Sequence, residues 1–122
     1  MKRFPLSRSE RITKTSDFKQ ALKNGSFYNG KALKLSISCN GCGVSRIGVS
    51  LRKHIFKLAI SRNRLRRCIK EIFRLNKEKL AKGYDIVVIP MAAAVDLKYE
   101  ALAGEFLALA KKAEIGRDRS YG

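Results

Sequence analysis

The densest chemistry in the chain is the run Arg62-Asn63-Arg64-Leu65-Arg66-Arg67, with Arg52, Lys53 and Lys57 before it and Lys70 and Arg74 after it. Arginine presents a planar fork that grips two phosphate oxygens at once, and it gives up hydration more readily than lysine does. A row of such groups repels itself until a polyanion neutralises it, and a string of phosphates does so while releasing counterions. The plainer reading of a charge run is a solvated helix face, but such faces mix signs so that i,i+4 pairs form. Here only Glu71 and Glu78 oppose the basic residues.

Chemistry of bond-breaking has no comparable signal. His54 is the single histidine, and no His-Glu-x-x-His, phosphate-cradling glycine loop or pair of acids beside a nucleophile is present. Asp17, Asp85 and Asp96 read as a helix start, a strand entry and a cap, so no catalytic residue is expected and an independent nuclease is disfavoured. The pair Cys39-x-x-Cys42 invites a zinc site. Such a site wants four ligands, and beyond the pair only His54 and Cys68 offer any, with Cys68 inside a helical pattern. We therefore expect no metal or cofactor bound by this chain alone. Three cysteines without a secretory signal do not make a disulfide framework, which points to the cytoplasm.

The whole composition agrees with a polyanionic partner. In 122 residues there are 27 Lys and Arg against 10 Asp and Glu, a net charge of +17. One domain of that charge is usually kept in balance by nucleic acid or an acidic membrane. No apolar run approaches the roughly 20 residues a membrane helix needs. A membrane-surface role for the basic helix would take away the apolar face that must cover the sheet.

The elements that position these groups follow from periodicity. Residues 1–13 are basic and aperiodic and read as an extended arm. A helix begins near Ser16, capped by Ser16 or Thr15, carries Phe18, Ala21 and Leu22, and ends at Asn24-Gly25. Leu33, Leu35, Ile37 and Cys39 then alternate with polar residues, as do Ile47, Val49 and Leu51. With the turn Asn40-Gly41-Cys42-Gly43 between them, they predict an antiparallel hairpin, with a short strand at Ser26–Tyr28 before it. A long helix is expected from about Leu58 to Leu80. On its wheel Leu65, Cys68, Ile69, Ile72, Phe73 and Leu80 form one face, and Asn63, Arg66, Arg67, Lys70, Arg74 and Lys77 form another. Arg62 falls beside the apolar stripe, its stem packed and its head outward. Tyr84–Pro90 predicts a strand covered on both faces, because four successive residues are β-branched and apolar. A last helix runs from about Leu97 to Lys112, with Ala101, Leu102, Phe106, Leu109 and Ala110 inward, before a polar tail over 116–122.

The face of the sheet beside the first helix is a second candidate surface. Phe18, Leu22, Phe27 and Tyr28 are platforms on which single-stranded RNA bases can rest, although each is also an ordinary core residue.

Ala59-Ile60-Ser61-Arg62-Asn63-Arg64-Leu65-Arg66-Arg67-Cys68-Ile69-Lys70-Glu71 closely resembles the central-helix signature of the bacterial ribonuclease P protein subunit. Arg11-Ile12 with Asp17-Phe18 and Asn24-Gly25, then Arg46-Ile47-Gly48-Val49-Ser50 with Arg52-Lys53, then Tyr84-Asp85-Ile86-Val87, resemble the family's other landmarks in order. The resemblance implies an α+β fold, a single-domain α-β-β-β-α-β-α two-layer sandwich of the ribosomal-protein-like RNA-binding kind with a left-handed βαβ crossover. The ordered core would cover about 11–113 of the one domain, 1–122. It implies that a partner RNA cuts the 5′ leader from precursor tRNA with Mg2+ held mainly by RNA, and that the protein is a monomer, one per RNA. By resemblance Arg62, Asn63, Arg64, Arg66, Arg67 and Lys70 contact RNA phosphates, and the basic run extends the surface to Arg52, Lys53 and Arg74. Phe18, Leu22 and Ser36 would lie at a leader cleft. The family often carries aromatic residues where Leu22 and Ser36 stand, and a glycine turn where this chain has His54-Ile55-Phe56-Lys57-Leu58. The alternative is a general RNA-binding or ribosome-associated module with the same basic helix and no role in cleavage.

Overall fold

A computed structural model of the chain describes residues 8–41 and 43–113. The start of the basic arm, Cys42 and the polar tail lie outside the described residues. The element order is α1 (Thr15–Asn24), β1 (Ser26–Asn29), β2 (Leu33–Cys39), β3 (Arg46–Val49), α2 (Ala59–Asn76), β4 (Tyr84–Pro90) and α3 (Tyr99–Lys112), with short 3-10 turns at Arg8–Glu10, Lys77–Lys79 and Ala92–Asp96.

The sheet order is β1-β2-β4-β3. The expected β2–β3 hairpin is therefore corrected: β4 lies between those strands, antiparallel to β2 from Leu33↔Pro90 to Cys39↔Tyr84 and parallel to β3 from Arg46↔Asp85 to Val49↔Val88. A central strand needs apolar side chains on both faces, and Ile86, Val87 and Val88 are all fully buried, with Ile89 nearly so.

Alternation along the strands divides the interior into two cores. Leu33, Leu35, Ile37, Ile47, Val49, Ile86 and Val88 face α2 and α3, where Leu65, Ile69, Ile72, Phe73, Leu102 and Phe106 meet them. These two layers form the main sandwich. On the opposite face Val87 and Ile89 pack with Ile12, Ala21, Phe18 and Leu22, so α1 covers part of the sheet's other side. The segment from His54 to Leu58 is anchored by Phe56, which is buried in the main core. The amides of Ile55 and Phe56 both donate to the Arg52 carbonyl, at 3.0 and 2.9 Å. An aromatic plug thus closes the turn that leads into α2.

Several boundaries differ from the sequence expectation. Lys14 takes the cap position of α1 with no side-chain cap, and neither Thr15 nor Ser16 does so. β3 stops at Val49, and α2 gives way to a 3-10 turn at Lys77. Asp96 closes the 3-10 turn and does not cap α3, whose cap residue is Lys98. Ala101 is exposed, while Leu102, Phe106, Leu109 and Ala110 are buried as expected. The Glu105 carboxylate accepts from the Ala32 and Leu33 amides at 2.7 and 2.6 Å, tying α3 to the start of β2.

Candidate nucleic-acid interface

The apolar stripe of α2, Leu65, Ile69, Ile72 and Phe73, is buried, which turns the opposite side of the helix to solvent. Arg67 and Asn63 are exposed there, and Arg66 and Lys70 are half-buried beside them. Arg66 Nη1 donates to Asn63 Oδ1 at 3.3 Å, one turn back. Arg52 and Lys53 are exposed in the turn that leads to the helix.

The other arginines of the run do not share this surface equally. Arg62 does not send its head outward. Its Nη1 donates to the Phe56 and Lys57 carbonyls at 2.8 and 3.1 Å, fastening the entry loop to the helix. Arg64 lies on the other flank, where Nη2 donates to the Val95 and Leu97 carbonyls, both at 3.0 Å. Arg74 forms a fork on Glu71, with Nε donating at 3.0 Å to Oε1 and Nη2 donating to Oε2. The i,i+3 spacing of Glu71 and Arg74 was the legible signal for that pair. Arg64 and Arg67 also edge a groove of about 710 Å³ between α2 and the start of α3, with Ile60, Cys68 and Tyr99 on its walls. Burial pushes the Cys68 thiol above its ordinary 9.0, with Arg64 pulling the other way and Glu100 adding to the rise.

The cleft on the α1 side is built by one row across the sheet, Phe27–Ser36–Val87–Gly48. A Cβ at Gly48 would stand 2.8 Å from Cε1 and Cζ of Phe18, so the missing side chain makes room for that ring to lie on β3. Phe18 and Leu22 keep part of their surface open. Ser36 does not: it is wholly buried under α1, and its hydroxyl donates to the Ala21 carbonyl at 3.4 Å. Phe18 and Leu22 thus present open surface in the cleft, whereas Ser36 presents none. Tyr28 turns to the other face and packs on the main core. Phe27 is 48% exposed, and Lys34 Nζ stands 5.3 Å from the centre of its ring. Lys34 was missed from the sequence, although its place two residues before Ser36 puts it on the same face.

Among the described residues no three His, Cys, Asp or Glu side chains come together. Cys39 and Cys68 are free thiols, and Cys42, the other half of the candidate zinc pair, lies outside the described residues. No helix among the described residues is long and apolar enough to cross a membrane.

A family model described as Ribonuclease P matches residues 6–114. The chain belongs to the ribonuclease P protein family. Curated relatives named ribonuclease P protein component include one from Clostridium botulinum, 38% identical over 109 residues, covering 88% of this chain and 97% of the relative. Another, from Clostridioides difficile, is 38% identical over 110 residues, covering 89% and 96%. Among solved structures, the RNase P protein from Thermotoga maritima superposes with a TM-score of 0.77 at 31% identity, covering 84% of this chain and 96% of that one. The Staphylococcus aureus RNase P protein gives 0.78 at 27% identity, with 88% and 97% covered. The fold of this chain is thus the mixed α+β fold of the ribonuclease P proteins, and its place is as a protein component of that tRNA-processing ribonucleoprotein, associated with the ribonuclease P RNA.

Proposed function

We propose that this ribonuclease P protein is a non-catalytic subunit that holds the catalytic RNA along α2 and the 5′ leader of precursor tRNA in the α1 cleft. The observation that carries the reading is the split of α2 into a buried apolar stripe and a cationic side, on which Arg66, Arg67 and Lys70 have no carboxylate partner among the described residues. Such a surface binds a phosphate backbone without reading base sequence. The cleft is suited to a single strand, because it offers the half-open Phe18, Leu22 and Phe27 beside the Lys34 ammonium. The chain's own residues hold and orient RNA. Scission of the leader belongs to the RNA, which holds the Mg2+ of the holoenzyme. The protein acts in the cytoplasm as a monomer, one per RNA.

The test mixes this protein with its cognate ribonuclease P RNA at low magnesium, using precursor tRNA as substrate and each component alone as control. Correct 5′ cleavage that needs both is the expected result, together with tighter binding of precursor than of mature tRNA. RNA binding without restored cleavage would instead make the chain a general RNA-binding module.

A further inference from the structure

A pocket of about 280 Å³ lies at the C-terminal end of α2, where Phe73 and Ala81 meet Val44 from the loop before β3. Val44 is a large apolar residue left 37% exposed. The Ser45 hydroxyl donates to the Ala81 carbonyl at 2.8 Å and accepts from the Tyr84 amide at 3.1 Å, which joins the two rims. With that hydroxyl engaged both ways, the wall offers a guest apolar surface more than hydrogen bonds. The volume falls just below that of ordinary ligand sites, about 300–1,000 Å³, and suits an inserted side chain.

The charges at the rim cancel: Glu10 and Glu78 stand against Lys77 and Lys82. Glu10 Oε2 accepts from Lys77 Nζ at 2.8 Å. Glu78 is exposed and has no cationic partner among the described residues. In a chain of net charge +17, a neutral rim with one unengaged acid is a poor seat for a phosphate. It suits an apolar group flanked by positive charge.

Glu10 belongs to the segment before α1, so the chain itself passes the edge of the pocket. Beyond Glu10 that segment forms a minimal fifth strand: Arg11 bridges Ile47 in parallel, and the Ile12 amide donates to the Ile47 carbonyl at 2.9 Å. Ahead of it the sequence reads Met1-Lys2-Arg3-Phe4-Pro5-Leu6-Ser7. Leu6 is four residues from Glu10, a reach of at most about 14 Å even for extended chain. Pro5 sets its own backbone and disfavours helix at Phe4, so seating this stretch costs less conformational freedom. Lys2 and Arg3 carry the charge that Glu78 lacks, and the last turn of a helix favours cations.

We propose that residues 1–7 form a strap whose Leu6 side chain fills this pocket, with Lys2 and Arg3 toward Glu78. Tethering favours this occupant, because a segment four residues away is present at high effective concentration. A second copy would have to overcome the repulsion between two chains of +17. The strap is a third hold on the segment before α1, beside the Glu10–Lys77 pair and the Ile12–Ile47 hydrogen bond. Ile12 packs with Phe18 and Leu22, so the hold extends to the wall of the α1 cleft.

The experiment records nuclear Overhauser contacts in the full chain with labelled leucine, valine and alanine methyls and phenylalanine rings. Leu6 methyls should show contacts to the Phe73 ring and to the Val44 and Ala81 methyls. Leu6→Ser should lower the Tm by about 3 °C or more in the wild-type background. In a Val44→Ser background it should lower it by less than half as much, since the two side chains share one contact. Leu6 methyls without contacts to the pocket overturn the strap, as do contacts to Phe18 or Leu22 in their place. Contacts that appear only between differently labelled chains in a mixed sample overturn the intramolecular occupant in favour of a second copy. Equal Tm losses in both backgrounds, or none in either, overturn the seat at Val44.

Discussion

Arg46 holds Asp85 in a two-pronged grip across the β3–β4 pair, with Nε and Nη2 donating to the two carboxylate oxygens at 2.8 and 2.6 Å. Asp85 is 6% exposed, and the Asn40 amide donates to it at 2.9 Å. The same guanidinium reaches Asp17, in the first turn of α1, at 3.5 Å. One arginine thereby joins the parallel strand pair to the helix that walls the cleft. Removing one member of a buried, forked ion pair leaves the other uncompensated, so Arg46→Ala should cost about 3 kcal/mol of stability. Urea unfolding checks the figure. A loss below about 0.5 kcal/mol would mean the pair is solvated as surface bridges are.

Gly48→Ala should act on the cleft more than on the fold. The new methyl would collide with the Phe18 ring at 2.8 Å, and the ring has open space to move into, unlike a residue of the main core. Overpacking of this kind costs about 1–3 kcal/mol. Binding of precursor tRNA should weaken while that of mature tRNA holds, and the ratio of the two affinities is the measurement. Equal losses for both would place the leader elsewhere.

Arg62 and Arg67 lie five residues apart in the same run and should behave oppositely. Arg67→Ala removes an exposed cation and should leave unfolding unchanged, while paired with Arg66→Ala it should weaken RNA binding by about 1–3 kcal/mol. Arg62→Ala releases the Phe56 and Lys57 carbonyls and should lower stability by about 1–3 kcal/mol, because hydrogen bonds from a charged group are lost. Denaturation and filter binding on both variants separate the roles.

Lys70→Gln should stabilise the isolated protein while weakening its hold on RNA. The Lys70 pKa is lowered in the folded state, first by burial and then by Arg11 and Arg66. The unfolded chain therefore binds the proton more tightly, so wild-type stability rises with pH between the lowered value and the ordinary 10.5. Below that window the full cost of the buried charge is present, and Gln removes it. Unfolding midpoints of the two proteins should converge as pH climbs through the window. A wild-type advantage at neutral pH would contradict the burial of this ammonium.

The sequence carried the elements and the apolar faces well, because periodicity reports burial directly. Strand neighbours were less legible. The alternation in Leu33–Cys39 and Arg46–Val49 is the same whether those strands touch or not, and the intervening turn favoured a hairpin. The relevant signal was Ile86-Val87-Val88-Ile89, whose unbroken apolar run marks a strand covered on both faces, as interior strands of a sheet commonly are. Within the basic run, residue type marked the surface but not the partners. Arg62 and Arg64 find carbonyls contributed by loops, and nothing in local spacing announces those. Arg11 was read as part of a loose arm because one bridged residue is too short to have a period.

The position of β4 also has a temporal consequence. Residues emerge from the ribosome in order, and until Tyr84–Pro90 appear the strands β2 and β3 have no common neighbour. The Glu105 clamp on Ala32 and Leu33 arrives later still. When the run from Arg62 to Arg74 has been made, it is therefore carried for a time on a framework that cannot yet close, with apolar strand faces open to chance partners. Like-charge repulsion along the growing chain opposes such encounters. The positive charge that serves the finished protein in gripping RNA thus also guards the nascent one against collapse with its neighbours.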